Sequence, residues 1–425
     1  MSLKRWDMGE KADTELVRRQ NRFLVLEALR QNGTLARIDL GRHTGLSPAT
    51  VTSITAQLIA EGVLQELEHQ SPPTKPLKRG RPLTQIGLTP RSAYVVAVKI
   101  SIDGIVLALA DSRGEIISRS NSRINTHDAS RSSFAHQIAR EIENFLRSAR
   151  IAADDVASIG IAVQGVADSQ SGHISWSPAF ETRDIPVSAM VEERLGIPCR
   201  VANDANMIAE GLISNNRERY GGTAAVVFMG WGVGMGLIIN GQVYHGPTGA
   251  AAEFGHMNHL PDGPLCRCGR RGCVEAYVAD YSLLRWASGS AATEAPSSKA
   301  IPREKMLTLE AAAYRGEEAA VSAYAKAGEA LGFGLARIIA ILTPSRIVLA
   351  GPGTRAMALI RPHLDRALEA GVVDELHRKV EIEVVPIDTD MIIKGTIDRA
   401  LRHVDREIFA NGPLARRGRE LETVA

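Results

Sequence analysis

Three of the four cysteines in this 425-residue chain fall within eight residues, Cys266-Arg267-Cys268-Gly269-Arg270-Arg271-Gly272-Cys273, ten residues after His256. One imidazole and three thiolates, His256, Cys266, Cys268 and Cys273, form a closed Cys3His set suited to tetrahedral Zn2+. No coordination position is left for water, so the metal is expected to be structural. Its role would be to pin the loop that carries Glu253, His256 and Glu275. A disulfide framework would scatter its cysteines instead of clustering them. The other reading is three unrelated thiols beside an unrelated histidine.

The chain is too long for one ordinary core, so two or three domains are expected. Its 44% apolar and 23% charged residues describe a soluble globular protein. The longest apolar stretches, Tyr94–Ile102 and Leu335–Leu342, are broken by Lys99 and Arg337, which excludes a membrane-spanning segment. Residues 1–15 are charged and lack an apolar signal core, which points to the cytoplasm. The net charge is +2, but residues 1–90 hold 13 Lys/Arg against 9 Asp/Glu, and the remainder 37 against 39. A basic head on a slightly acidic body fits a DNA-binding module attached to something else.

That head has its own pattern. Residues 14–33 read as a helix with Leu16, Phe23, Leu26 and Leu29 among its apolar positions and Gly33 closing it. A short helix over 35–44 ends at Gly45. A third begins at Ser47-Pro48-Ala49-Thr50, where Ser47 can cap the open amides and Pro48 suits the first helical position. This spacing is a helix-turn-helix. On the third helix Val51, Ile54 and Leu58 share an inner face. Ala49, Ser53 and Gln57 point outward with Thr50 and Thr52 on the flanks, so these five and Ser47 are the candidate major-groove contacts. Val63–Leu67 and Thr84–Thr89 can pair as a wing. Its tip, Lys78-Arg79-Gly80-Arg81-Pro82, offers Lys78 and Arg79 to phosphates and Arg81 to a minor groove. A three-helix protein-interaction module is the alternative.

From Ser92 strands alternate with helices, implying an α/β architecture with ligands at strand ends. Strands are expected at 94–101, 105–111, 115–120, 158–163 and 346–350, with two more in 224–245, and a helix at 132–149. Residues 285–305 read as a mobile insertion, and those past Gly412 as poorly ordered. Asn203-Asp204 closes an apolar strand, where a carboxylate can bind or deprotonate a hydroxyl; the pair is equally a common turn. Gly230-Trp231-Gly232-Val233-Gly234-Met235-Gly236 and Gly351-Pro352-Gly353 can cradle phosphates. They can equally be tight hairpins without a ligand.

The order of winged helix, Asn-Asp, Gly-rich loop, Glu253-Phe254-Gly255-His256 and Cys-x-Cys-Gly-x-x-Gly-Cys-x-Glu resembles the ROK family of repressors, open reading frames and kinases. The resemblance spans residues 15–405, is strongest over 230–277, and is closest to the xylose and N-acetylglucosamine repressor branch. It implies an actin-like, hexokinase-type (ribonuclease H-like) pair of lobes with a sugar cleft between them. The expected division is 1–90 for the winged helix, 91–408 for the ROK domain and 409–425 for a tail. Within the ROK domain, one lobe covers about 91–203 plus the C-terminal helix and the other about 204–390. Carried over, Asn203, Asp204, Glu253, His256 and Glu275 would contact sugar hydroxyls, with Asp204 matching the kinases' base and His256 serving both metal and sugar.

The departures are on the nucleotide side. Family kinases open with Asp-x-Gly-Gly-Thr, where this chain has Lys99-Ile100-Ser101-Ile102-Asp103. Their second phosphate loop carries Thr-Gly, replaced here by Trp231-Gly232. Phosphoryl transfer depends on positioning and charge neutralisation, so kinase activity and ATP binding are expected to be lost and Asp204 to be vestigial as a base. On the sugar side, Ala179-Phe180 stands where Asn-Leu is usual. The combined expectation is a homodimeric or homotetrameric repressor of carbohydrate genes. It would bind a double-stranded operator and answer to a sugar or sugar phosphate. An active kinase with a DNA-binding head, control by a protein partner, and activator function remain alternatives.

Overall fold

The computed structural model describes residues 6–67, 84–102, 104–124, 126, 130–296, 301–386 and 389–412. The head comprises α1 (Trp6–Asn32), β1 (Leu35–Ala36), α2 (Arg37–Thr44), α3 (Pro48–Ala60), β2 (Leu64–Leu67) and β3 (Gln85–Leu88). The three strands form one antiparallel sheet in the order β1-β3-β2. Two details differ from the sequence reading. Leu35 and Ala36 pair with Ile86 and Gln85 as a strand before α2 begins, because Ala36 buries its methyl in the head. Helix α1 starts eight residues earlier than its apolar periodicity, since the segment from Trp6 continues the helix without an apolar stripe.

Helix α3 matches its start signal. Ser47 caps it, its Oγ accepting from the Thr50 amide at 3.2 Å, with Pro48 in the first turn. Ser47→Ala is expected to cost the head about 1 kcal/mol. Circular dichroism melts of the variant would check this, and an unchanged melting temperature would contradict it.

The first lobe contains β4 (Tyr94–Ser101), β5 (Gly104–Asp111), β6 (Ile116–Ser122), α4 (Arg131–Ala149), β7 (Val156–Val163), β8 (Val166–Asp168), β9 (His173–Trp176), α5 (Val187–Leu195) and β10 (Cys199–Asn203). Its sheet runs β10-β7-β4-β5-β6, with β10, β7 and β4 parallel and the other pairs antiparallel. Helices α6 (Asp204–Asn215) and α7 (Arg217–Tyr220) lead to the second lobe. That lobe has β11 (Ala224–Met229), β12 (Val233–Ile239), β13 (Gln242–Val243), α8 (Glu275–Val278), α9 (Asp280–Ala287), α10 (Arg303–Tyr314), α11 (Glu318–Leu342), β14 (Arg346–Ala350), α12 (Met357–Gly371), α13 (Asp374–His377) and β15 (Glu381–Val385). Its sheet runs β13-β12-β11-β14-β15. Helix α14 (Thr389–Val404) then returns to pack on β4, β7 and α6.

Each lobe has its own apolar core, and a third cluster of α6, β11, β14 and α14 residues joins them. The lobes meet where α6 crosses α14 in backbone contact. A Cβ on Gly395 would sit 1.8 Å from the Met207 carbonyl oxygen, so only glycine fits.

The head is not an appendage. Val25, Leu26 and Leu29 of α1 share a core with Val95, Ala97, Ile397 and Leu401 of the body. The chain stays packed past residue 408, where the tail was expected to begin: a π-helical turn, Asp405–Phe409, buries Phe409 and is followed by buried Ala410. Arg22 of α1, with 1% of its side chain exposed, donates to the Phe409 carbonyl at 2.6 Å. The same guanidinium holds Glu61, which caps the C-terminus of α3, at 3.0 and 2.6 Å. A second pair, Arg30 with buried Asp405 at 2.6 and 2.8 Å, lies about two turns further along α1.

Candidate metal centre and carboxylate cleft

The loop 253–275 closes on itself through its own hydrogen bonds, Cys266 N–H to the Arg270 carbonyl and Gly269 N–H to the Cys266 carbonyl. Gly272, at φ +73°, lies against the Leu260 carbonyl so closely that a Cβ would meet its oxygen at 1.6 Å. This fold gathers all four expected ligands: one donor atom each from His256, Cys266, Cys268 and Cys273 lie within 4.8 Å of one another. Cys268 and Cys273 sulfurs are 3.7 Å apart, and Cys266 Sγ is 3.7 Å from His256 Nδ1. Metal–sulfur bonds of about 2.3 Å in a tetrahedron give sulfur–sulfur edges of roughly 3.8 Å. The spacing therefore fits a metal ion and is far too long for a disulfide. His256 Nδ1 faces Cys266 Sγ, so a metal held through it would leave Nε2 for another partner, and the ring meets Trp176 edge-on at 5.4 Å.

Three carboxylates converge beside this centre. Glu253 sits just before the short 3-10 turn Phe254–His256. Burial pushes its carboxyl up to about 6, His256 opposes this, and the nearby charges of Asp204 and Glu275 raise it further. Asp204 opens α6. Burial also raises its carboxyl, against the pull of the Lys99 ammonium and the hydrogen bond from the Ala205 amide. Glu275 opens α8 and is buried. Its Oε2 accepts from the Val233 amide at 3.1 Å and its Oε1 accepts from Tyr281 Oη at 3.4 Å.

Asn203, at the end of β10, caps α6: its Oδ1 accepts from the amides of Ala205 and Asn206, and its Nδ2 donates to the Gly165 carbonyl at 2.7 Å. Asn203 and Glu275 thus spend most of their bonding capacity holding β10, α6 and β12 in place. Asp204, Glu253 and His256 have more left for a ligand.

The Gly-rich segments are packed against protein. A Cβ at Gly232 would collide with Gln164 Nε2 at 2.3 Å and meet Glu275 Oε2 at 3.0 Å, so this glycine lets the loop lie on the carboxylate. Trp231 is covered by the Arg267 guanidinium at 3.3 Å from its ring centroid, and Arg267 Nη1 donates to the Trp231 carbonyl at 2.8 Å. The Tyr281 ring also lies under the Arg267 guanidinium, at 4.2 Å, and burial lowers the guanidinium to about 10. A loop occupied by an indole–guanidinium–phenol stack offers a phosphate little backbone to approach. Ala179 and Phe180 are both buried, Phe180 against Phe134 with ring centroids 4.5 Å apart, in the core of the first lobe.

On the head, Ser47, Ala49, Thr52 and Ser53 are exposed, while Thr50 and Gln57 are half-buried. Thr52 donates to the Pro48 carbonyl at 2.8 Å, and Ser47 Oγ is 2.9 Å from Thr50 Oγ1, so several of these hydroxyls satisfy their own helix. Lys78, Arg79 and Arg81 lie outside the described residues.

Sequence reasoning did not single out Arg18, whose Nη2 donates to Gln57 Oε1 at 3.1 Å beside the outward face of α3. Gln164, Trp176, Arg267 and Tyr281 were missed as well. Only Arg267, between two cysteines, carried a local signal. The others reach the site from separate strands and helices.

The sequence profile of the ROK family matches residues 95–391, and that of winged helix-turn-helix DNA-binding domains matches residues 18–65. The chain is 26% identical to the xylose repressor of Bacillus subtilis (strain 168) over 378 residues, covering 87% of this chain and 92% of that one. It is 25% identical to the DNA-binding transcriptional dual regulator NagC of Escherichia coli (strain K12) over 362 residues, covering 84% and 86%. Among solved structures, a ROK family transcriptional regulator described as a homolog of the E. coli MLC protein superposes with a TM-score of 0.76. It has 22% identity and covers 93% of this chain and 99% of that one. Among the described residues, no helix is long and apolar enough to cross a membrane.

Proposed function

The chain belongs to the ROK family, and from that premise we propose that it is a sugar-responsive transcriptional repressor. Its winged helix would bind a double-stranded operator, and its body would bind a sugar or sugar phosphate. The carrying observation is the attachment of an exposed, capped helix α3 to a body with three converging carboxylates, through a shared apolar core and the buried guanidinium of Arg22. Relatives named as a xylose repressor and as a transcriptional regulator support the same reading.

In this account Asp204, Glu253 and His256 accept from or donate to sugar hydroxyls, while Asn203 and Glu275 hold the cleft's shape and offer their remaining bonding capacity. Zinc is the ion the donor set favours, three soft thiolates and an imidazole in a closed tetrahedron. Bound there, it would fix the His256 ring and keep the loop 253–275 folded. Lys99 and the Trp231–Arg267 stack argue for a body that has given up ATP and phosphoryl transfer. DNA contacts fall to Ser47, Ala49, Thr50, Thr52, Ser53 and Gln57, with Lys78, Arg79 and Arg81 on the wing. A pseudo-palindromic operator calls for two heads, hence a homodimer or homotetramer. The effector acts only to the extent that it binds one lobe arrangement better than the other.

A thermal-shift screen of the full-length protein tests the ligand half. Pentoses, hexoses, amino sugars, their phosphates and ATP–Mg are compared at equal concentration. A rise with one sugar and none with ATP–Mg is expected; a rise with ATP–Mg would revive the kinase reading, and no rise with any sugar would remove the effector.

Glu253 adds a pH signature. Its folded carboxyl titrates at about 6 against an ordinary 4.5. A raised carboxyl contributes stability below the lower value and loses it as pH rises through the upper one. Glu253→Gln is therefore expected to raise stability at pH 7.5 by roughly 1–2 kcal/mol, to change little at pH 4.5, and to abolish the sugar-induced shift. Thermal melts of both proteins at the two pH values, with and without sugar, check all three.

A further inference from the structure

A second cleft, of about 420 Å³, opens away from the carboxylates, between α1 of the head, α6, β13 and α14. None of the five proposed sugar residues lines it, and five arginines there face three carboxylates. The innermost group is Glu210 of α6, with 3% of its side chain exposed. Arg402 holds it at 3.1 Å, Arg399 lies at 3.8 Å and His245 at 3.5 Å. One carboxylate thus answers two guanidiniums, and Arg399 also contacts His245. Burial lowers Arg399 below the ordinary arginine value; Glu210 opposes this, and Arg402 and Arg200 add to the lowering. Arg200 and Arg217 at the mouth are exposed and have no ion pair among the described residues. Clustered, half-buried like charges that are only partly compensated favour an anion that completes them.

We propose that this arginine-lined cleft is a binding site for the phosphate group of a small phosphorylated metabolite, separate from the sugar cleft. Planar guanidiniums from three elements (Arg200 on β10, Arg217 on α7, Arg399 and Arg402 on α14) suit bidentate capture of a dianion. The volume falls in the range of metabolite pockets. The cleft also touches the head: Glu27 of α1 lines it, and so does Arg406, which stacks on Phe23 of α1 at 4.8 Å. A dianion here would sit beside the same α1 that carries Arg22.

Isothermal titration calorimetry on the full-length protein tests this with inorganic pyrophosphate and with a hexose 6-phosphate, against the unphosphorylated hexose. Both phosphates are expected to bind with a submillimolar Kd that the unphosphorylated hexose does not compete away. Arg402→Gln and the surface pair Arg200→Gln/Arg217→Gln are each expected to weaken pyrophosphate binding at least 10-fold, and Glu253→Gln to leave pyrophosphate binding unchanged. The surface pair leaves the buried Glu210 network intact, so a folding defect in Arg402→Gln does not decide the result. Absence of binding at 10 mM overturns the proposal. So does binding lost in Glu253→Gln and kept in the arginine variants, which places the phosphate in the sugar cleft. A non-specific DNA duplex serves as the last arm. If it displaces pyrophosphate, and the surface pair flattens the salt dependence of DNA binding, the cleft serves the DNA backbone and the metabolite site is wrong.

Discussion

Cys268→Ser is expected to empty the metal centre and to remove the sugar response, while operator affinity stays within about threefold. The four ligands come from one loop, tied by its own backbone hydrogen bonds, whose turns lean on Gly269 and Gly272 in the left-handed region. A bound ion would add to these bonds; in small metal-folded modules structural zinc contributes about 10–16 kcal/mol. Losing one ligand of four, at an even share, weakens the metal by roughly 100-fold or more. The loop carries Glu253 and His256 and buttresses Glu275, so the cleft loses its shape when the loop loosens. The head shares no residue with this loop. Elemental analysis should read one zinc per wild-type chain and less than a tenth in the variant after dialysis. Thermal shift should show no sugar effect in the variant, and anisotropy with operator DNA should show binding retained. A variant that keeps its metal, or that still answers to sugar without it, would contradict the assignment.

The second large effect is expected at Arg22. Replacing it by methionine removes the buried guanidinium that donates to Glu61 and to the Phe409 carbonyl. Removing one member of a buried pair costs about 3–5 kcal/mol, and Glu61, with 17% of its side chain exposed, places this case at the lower end, about 3 kcal/mol. The functional consequence is sharper than the stability loss. Arg22 links the C-terminal cap of α3 to the body's last turn, so Arg22→Met should bind operator with or without sugar. The double variant Arg22→Met/Glu61→Leu should recover much of the stability, since replacing a whole buried pair is often neutral, yet remain unresponsive. Chemical denaturation and operator titrations on the three proteins separate the two effects. If the double variant regains the response, Arg22 contributes packing and not coupling.

Local features were legible in the sequence because local chemistry decides them. Ser47 and Pro48 start α3, Val51, Ile54 and Leu58 are buried on its inner face, and the four candidate metal ligands converge. The strand 346–350 came directly from an apolar run bounded by turn residues. What stayed hidden depends on distant pairing. Arg22 read as one more charged residue on α1, since its partner carbonyl lies 387 positions away. Leu35 and Ala36 followed a helical pattern and became a strand only because β3 offers an edge. Gly395 gave no signal, being a single glycine whose meaning is the approach of α6. The arginine cleft assembles residues between 27 and 407 in sequence, and none of its side chains is unusual where it stands in the chain. The Gly-rich loop read as a phosphate cradle or a hairpin, and Trp231 packed under Arg267 favours the hairpin.

The central claim is that a sugar bound in the body changes the head's hold on DNA. The direct measurement is an operator titration by fluorescence anisotropy, using a duplex enriched by in vitro selection with the full-length protein. It is run without ligand and with the sugar identified by thermal shift at saturation. A coupling of 1–3 kcal/mol, about 5- to 150-fold, is the usual size for linked sites. The account predicts that saturating sugar weakens operator binding at least 10-fold, and that Glu253→Gln binds operator normally and ignores the sugar. Equal operator affinity with and without bound sugar would contradict it, because a ligand that does not distinguish the two states cannot control the repressor.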